Sequence, residues 1–198
     1  MTVLCFYYVD RQVISVLIAH HSRNFGILKL FANCITDVIG SFIVLFYIYF
    51  GTKLLMNRLY AADKQLIVMC NSVVISMFFK DILKGIFGRY WAVTFTCQNP
   101  SLISDNVYGF NWFASDSVNA SFPSGHAAFI FSFSVSMWLL FPRLRWVWGL
   151  LAILVLIGQI GMYYHFVSDV IAGAVLGGLV AFYNYRYSCT QVIYTPSI

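Results

Sequence analysis

Residues 122–141 read FPSGHAAFIFSFSVSMWLLF, a polar turn that runs straight into an apolar stretch. Ser124 can cap a helix here, Gly125 leaves its backbone N–H open to an approaching anion, and no residue from Ala127 to Phe141 is ionisable. A helix built this way covers most of the roughly 20 apolar residues that a bilayer crossing requires and holds its polar head at the membrane–water boundary. Segments 35–56, 65–84, 145–164 and 167–185 repeat the apolar pattern. The expected fold is therefore all-α and integral to the membrane, a bundle of five transmembrane helices. Composition agrees: the chain is 61% hydrophobic and 10% charged, with a mean hydropathy of +0.79. That is too little charge to cover a soluble globule.

Residues 10–33 mix Asp10, Arg11, His20, His21, Arg23 and Lys29 with aliphatic side chains, a composition that suits a helix lying in the outer interface. The alternative is a short tilted span through residues 1–20, which gives six crossings. The chain thus divides into an N-terminal interfacial segment, residues 1–34, and a transmembrane core, residues 35–198. The run from Met1 to Val9 has no preceding basic region and is cut short by Asp10-Arg11, so it does not read as a cleavable signal. Lys53, Arg58, Lys64, Arg143, Arg145 and Arg186 fall at one end of the bundle, which the positive-inside bias assigns to the cytoplasm. The expected location is the bacterial inner membrane, with the segment 86–125 and the junction at His165 facing the periplasm. The formal charge of +5 is scattered between apolar runs, without a basic stripe, and excludes a nucleic-acid partner. Cysteines at 5, 34, 70, 97 and 189 form neither a metal-ligand pair nor a disulfide framework.

Polar groups in membrane helices are costly and usually functional, and in this topology they collect at the outer ends. Lys80, Lys84 and Arg89 close the second span, Ser124 and His126 open the third, and His165 and Asp169 join the fourth to the fifth. Lys84 and Arg89 can neutralise phosphoryl oxygens, the arginine in bidentate fashion. Ser124 and Gly125 offer a helix N-terminus to the same anion. His165 and Asp169 share a helical face, so the carboxylate can orient the imidazole as a nucleophile, leaving His126 as a general acid. No carboxylate cluster with metal-ligand spacing is present, so no metal and no cofactor are expected.

These residues resemble the type 2 phosphatidic acid phosphatases, relatives of the vanadium haloperoxidases. The resemblance covers residues 80–183. Pro123-Ser124-Gly125-His126 matches the family's central motif. In its third motif, Ser-Arg, five variable residues, His, three variable residues and Asp, His165 and Asp169 match, while Gly158 and Gln159 replace Ser-Arg. In its first motif, Lys, six variable residues and Arg-Pro, Lys84 matches and Trp91-Ala92 replace Arg-Pro, with Arg89 as the substitute two residues earlier. The resemblance implies that His165 forms a phosphohistidine, Asp169 orients it, His126 protonates the leaving group, and Lys84, Ser124 and Gly125 bind phosphate. The implied activity is a metal-independent phosphatase for a membrane lipid phosphate or diphosphate at the outer face. The alternatives are a catalytically lapsed headgroup binder and a small transporter.

Taken singly, the other features have plainer readings. Gly173-x-x-x-Gly177 fits close helix packing, and His20 and His21 fit an interface. Trp138, Trp146 and Trp148 fit anchors at the membrane boundary. Lys80 and Asp81 can pair with each other, and Asn119-Ala120-Ser121 is a short acceptor pattern that also arises by chance.

Overall fold

The computed structural model describes residues 1–95, 99–113 and 117–194, so Cys97 lies outside the described residues. Its helices are α1 (Thr2–Tyr8), α2 (Asp10–Ala19), α3 (Gly26–Leu55), α4 (Ala61–Phe87), α5 (Gly125–Leu140), α6 (Arg145–Gly161) and α7 (Val167–Tyr194). Among the described residues the only β pairing is two isolated bridges, Arg89 with Phe110 and Trp91 with Ser101. The protein is an all-helical integral membrane protein. Helices α3, α4 and α7, and α6 with the turn before it, are long and apolar enough to cross a bilayer. Helix α5 has 16 residues, about 24 Å at about 1.5 Å per residue, and its neighbours wrap it so that few of its side chains need meet lipid.

Local chemistry sets the boundaries. Asp63 accepts a hydrogen bond from the Tyr60 N–H at 2.9 Å and fixes the start of α4. Gly88 ends α4 in the left-handed region, at φ 54°, where a residue with a Cβ is strained. The core joins Ile39, Ile43 and Phe46 of α3 to Met69 and Val73 of α4, Ile130 and Phe133 of α5 and Val155 of α6. Leu45, Leu55, Phe78, Leu150 and Leu179 point outward, as lipid-facing side chains do. Helices α5 and α7 pack most extensively, and the glycine pair explains why. A Cβ on Gly173 would meet the Ser124 carbonyl and Ala127, and one on Gly177 would meet the backbone of Ala128 and Ser132.

One expectation at the N-terminus changes and another gains detail. The first span was expected from residue 35, but α3 starts at Gly26 and passes through a π-helical turn at Leu30–Cys34. Helices α1 and α2, for which an interfacial helix and a short tilted span were both open, bend by 53° at Val9 and together are apolar enough for one broken span or a re-entrant loop. At that break Asp10 is fully buried, and Ile14 packs on Tyr163 and Phe166. A carboxylate with buried cationic and hydroxyl partners holds the segment inward.

The π-turn of α3 also accounts for Gly158-Gln159. A Cβ on Gly158 would lie 2.8 Å from both Phe31 C and Ala32 Cα, and Gln159 Nε2 donates to the Ala32 carbonyl at 2.7 Å. Because the neighbours are backbone, they cannot swing away. Gly158→Ala is expected to lower the thermal unfolding midpoint in detergent by an overpacking cost of about 1–3 kcal/mol. Gly158→Ser, which restores the residue of the family motif, should do no better. Unchanged midpoints in both variants would show that the α3–α6 contact is looser than described.

Candidate active site

The site lies at the end of the bundle where α4 finishes, α5 starts and α6 passes to α7. A cavity of about 930 Å³ opens there, lined by Lys80, Lys84, Gly125, His126, Gln159 and His165 among others. Of the residues singled out from the sequence, Lys84, Gly125, His126 and His165 thus face one space. Ser124, Asp169 and Arg89 are fully buried around it.

Ser124 is the N-cap of α5 and accepts from Ala127 N–H at 3.4 Å. Its own N–H donates to the Asp169 carbonyl at 3.0 Å, so the Ser124-Gly125 turn is fastened to the first turn of α7. The free N–H groups and positive dipole end of α5 are therefore held at the cavity edge. Lys84 reaches the same edge from the last turn of α4. Its Nζ donates to the Ala120 carbonyl and sits 5.2 Å from the centroid of the Trp91 ring. Trp91, at the position of the family's arginine, also lies 5.2 Å from the His165 ring, forming an aromatic wall between cation and imidazole. Lys80 pairs with Asp81 at 2.5 Å.

His165 lies in the connection between α6 and α7. Its Nδ1 faces Asp169 Oδ2 at 3.6 Å, wider than a hydrogen bond, and is otherwise unpartnered. Burial holds the imidazole below the usual histidine pKa, against the opposing pull of Asp169. It is accordingly neutral near pH 7, the form that carries a nucleophilic lone pair. Asp169 Oδ2 is fixed from two further sides, by Ser121 Oγ at 2.7 Å and by the Phe166 N–H at 3.1 Å. The hydroxyl of the Asn119-Ala120-Ser121 pattern is thus engaged with the carboxylate behind the nucleophile.

Arg89 departs from the expectation that it reaches phosphate. Its Nη1 bonds Asp169 Oδ1 and Ser168 Oγ, and its Nη2 bonds Asp10 Oδ2 at 2.8 Å and the Tyr108 hydroxyl at 3.1 Å. The rings of Phe166 and Phe6 flank the guanidinium at 4.4 and 5.0 Å. Although burial opposes its charge, Asp169 and Asp10 raise its pKa above the ordinary arginine value. The Gly88 turn sends the side chain away from the cavity into this cage, so Lys84 and Lys80 are the cations that face the space. Asp10 and Ser168, absent from the sequence-based site, complete the cluster: Ser168 N–H donates to Asp10 Oδ1 at 3.0 Å, and Ser168 Oγ bonds Asp10 Oδ2. The one sequence signal for Asp10 is an acid that, with Arg11, interrupts an apolar N-terminal run.

Among curated proteins, the chain is 32% identical over 108 residues to a lipid A 1-phosphatase of Rhizobium etli, covering 54% of this chain and 43% of that one. It is 30% identical over 102 residues to the bacitracin transport permease protein BcrC of Bacillus licheniformis, covering 52% and 49%. It is 34% identical over 74 residues to an undecaprenyl-diphosphatase of Sulfolobus acidocaldarius, covering 37% and 36%. The matched region spans less than half the length of each of these relatives. Residues 65–192, which include every motif residue from Lys84 to Asp169, match the sequence pattern of the PAP2 superfamily, and the chain belongs to that superfamily.

Proposed function

We propose that the protein is a lipid phosphate or diphosphate phosphatase that works through a phosphohistidine, without a metal ion. The observation that carries this reading is the cavity shared by His126, His165, Lys84 and the α5 N-terminus, with Asp169 buried behind His165. The phosphoryl group sits against Lys84, Lys80 and the Gly125 end of α5, where cations and backbone donors meet its oxygens. His165 Nε2 attacks phosphorus, forming the N–P bond as the P–O bond to the leaving group, ester or anhydride, breaks. The proton on protonated His126, a form the phosphate dianion favours, passes to the leaving oxygen. Water then attacks phosphorus, gives its proton to His126 and releases phosphate from His165. Asp169 stabilises the positive charge that the phosphorylated imidazole carries.

The names of two relatives, a lipid A 1-phosphatase and an undecaprenyl-diphosphatase, support a lipid-linked substrate. The detergent-purified protein should release phosphate from phosphatidate, phosphatidylglycerol phosphate, lipid A 1-phosphate or undecaprenyl diphosphate with chelator present. Release from none of them would leave a lapsed binder or a transporter as the better reading. Loss of release on adding chelator would overturn the metal-independent step.

The orientation follows from charge. Lys53, Arg58, Arg143 and Arg145 lie at the end opposite the cavity, so the site should face the outer side. In a background without native cysteines, a cysteine at exposed Ile103 should react with an impermeant thiol reagent in intact cells. One at exposed Met56 should react only after lysis. The reverse pattern would place the site in the cytoplasm.

A further inference from the structure

We propose that the α3 wall of this cavity is a subsite for the alcohol half of the substrate, and that Asp37 there selects phosphomonoesters with a free hydroxyl beside the ester carbon. This rests on the phosphatase reading and narrows its substrate class.

Asn33, Thr36, Asp37, Gly40 and Ser41 recur at helical spacing on one face of α3, and all five line the cavity. On the other faces of the same stretch Val38, Phe42 and Leu45 are exposed, so the polar stripe is confined to the side that looks into the site. An ionisable residue in such a helix is costly unless it faces water or a partner. Among the described residues Asp37 has no ion pair, and its carboxylate accepts no hydrogen bond; Lys80, on the same cavity, pairs with Asp81.

Apart from the Asn33 amide, which can donate and accept, the stripe is chemically one-sided. Thr36 Oγ1 donates to the Asn33 carbonyl at 2.8 Å and Ser41 Oγ donates to the Asp37 carbonyl at 2.9 Å. Their protons are committed and their lone pairs remain, while a carboxylate only accepts. The α3 wall therefore presents mainly acceptors, whereas Lys80 and Lys84 are donors only. A substrate that satisfies both must combine acceptors with donors. Phosphoryl oxygens belong with the lysines, and a hydroxyl close to the ester carbon belongs with Asp37. A second phosphate would bring negative charge and further acceptors to Asp37, which disfavours diphosphates. A fully esterified alcohol half brings no donor.

The clean comparison is 1-acylglycerol 3-phosphate against its 2-O-methyl ether, which differ by one hydroxyl proton and a methyl group. For the purified protein, kcat/KM should be about tenfold higher for the free hydroxyl, a ratio equal to about 1.4 kcal/mol. Asp37→Leu should erase that preference, slowing the hydroxylated substrate about tenfold more than its ether beyond any loss the two share through the charge that Asp37 places near His126. Asp37→Asn, which keeps a neutral acceptor, should retain part of it. Equal kcat/KM for the two lipids in the wild type, or an equal loss on both in Asp37→Leu, would overturn this subsite and leave the phosphatase reading standing. Release of phosphate from neither lipid, nor from the wider lipid panel, would overturn both.

Discussion

His165→Ala is expected to cut phosphate release by at least about four orders of magnitude, to the rate of the uncatalysed background. Removing the nucleophile removes the covalent route altogether, and losses of that size accompany loss of a nucleophile or its orienting partner in comparable hydrolases. The variant should fold, because His165 Nδ1 has no hydrogen-bond partner within reach and the side chain lines the cavity. An unfolding midpoint near that of the wild type therefore separates lost chemistry from lost structure. The pH profile adds a second reading. Burial depresses the His165 pKa, so the neutral nucleophile persists as pH falls, and the acid limb of kcat/KM should lie below the ordinary histidine range. Asp169 pulls that pKa upward, so weakening its negative field should move the limb further down. Activity within tenfold of wild type in His165→Ala would end the phosphohistidine mechanism. A limb at or above the ordinary histidine pKa of about 6.5 would show that His165 is more solvated than its position implies.

The parts of this site that were legible in the sequence are those set by local spacing. Ser124-Gly125-His126 announces itself because a cap, a small residue and an apolar run must be contiguous to start a membrane helix. His165 and Asp169 are found because four residues make one helical turn. Four of the five apolar segments follow from bilayer thickness alone, while α5 is shorter than a crossing requires. What escaped was long-range. Asp10 reads as an interfacial charge because it sits beside Arg11, and only the tertiary fold brings it onto Arg89. Arg89 was assigned to phosphate by its nearness to Lys84, yet the Gly88 turn reverses its direction. Gly158-Gln159 looked like a loss from the third motif. Its reason is the backbone of α3, more than 120 residues away in sequence, with Gln159 bonded to Ala32 across a separation of 127 residues. The Asn33–Ser41 stripe has helical spacing, but its apolar surroundings hid it inside a predicted lipid-facing span.

Arg89→Ala is expected to be the most disruptive substitution for the fold. Arg89 joins three parts of the chain: α1–α2 through Asp10, the 89–121 connection through Tyr108, and the head of α7 through Ser168 and Asp169. Removing it leaves two carboxylates buried without their cation. Breaking a buried pair from one side costs about 3–5 kcal/mol, a large fraction of the stability of most proteins. The variant should therefore yield little monodisperse protein in detergent. Arg89→Lys should rescue folding only in part, since one ammonium cannot hold Asp10, Asp169 and Ser168 from a planar fork. Asp10→Asn tests the same cluster more gently. With His165 neutral, Arg89 faces two buried carboxylates, so the cluster carries one excess negative charge beside the imidazole. Neutralising Asp10 leaves Asp169 fully matched by Arg89 and less able to stabilise a positive His165. Asp10→Asn should keep the fold and lower kcat by about tenfold, with the acid limb moved to lower pH. Wild-type kcat together with an unmoved limb would reduce Asp10 to an anchor for the N-terminal helices, and a stable Arg89→Ala protein would show that the cage is not what holds α1 and α2 against the bundle.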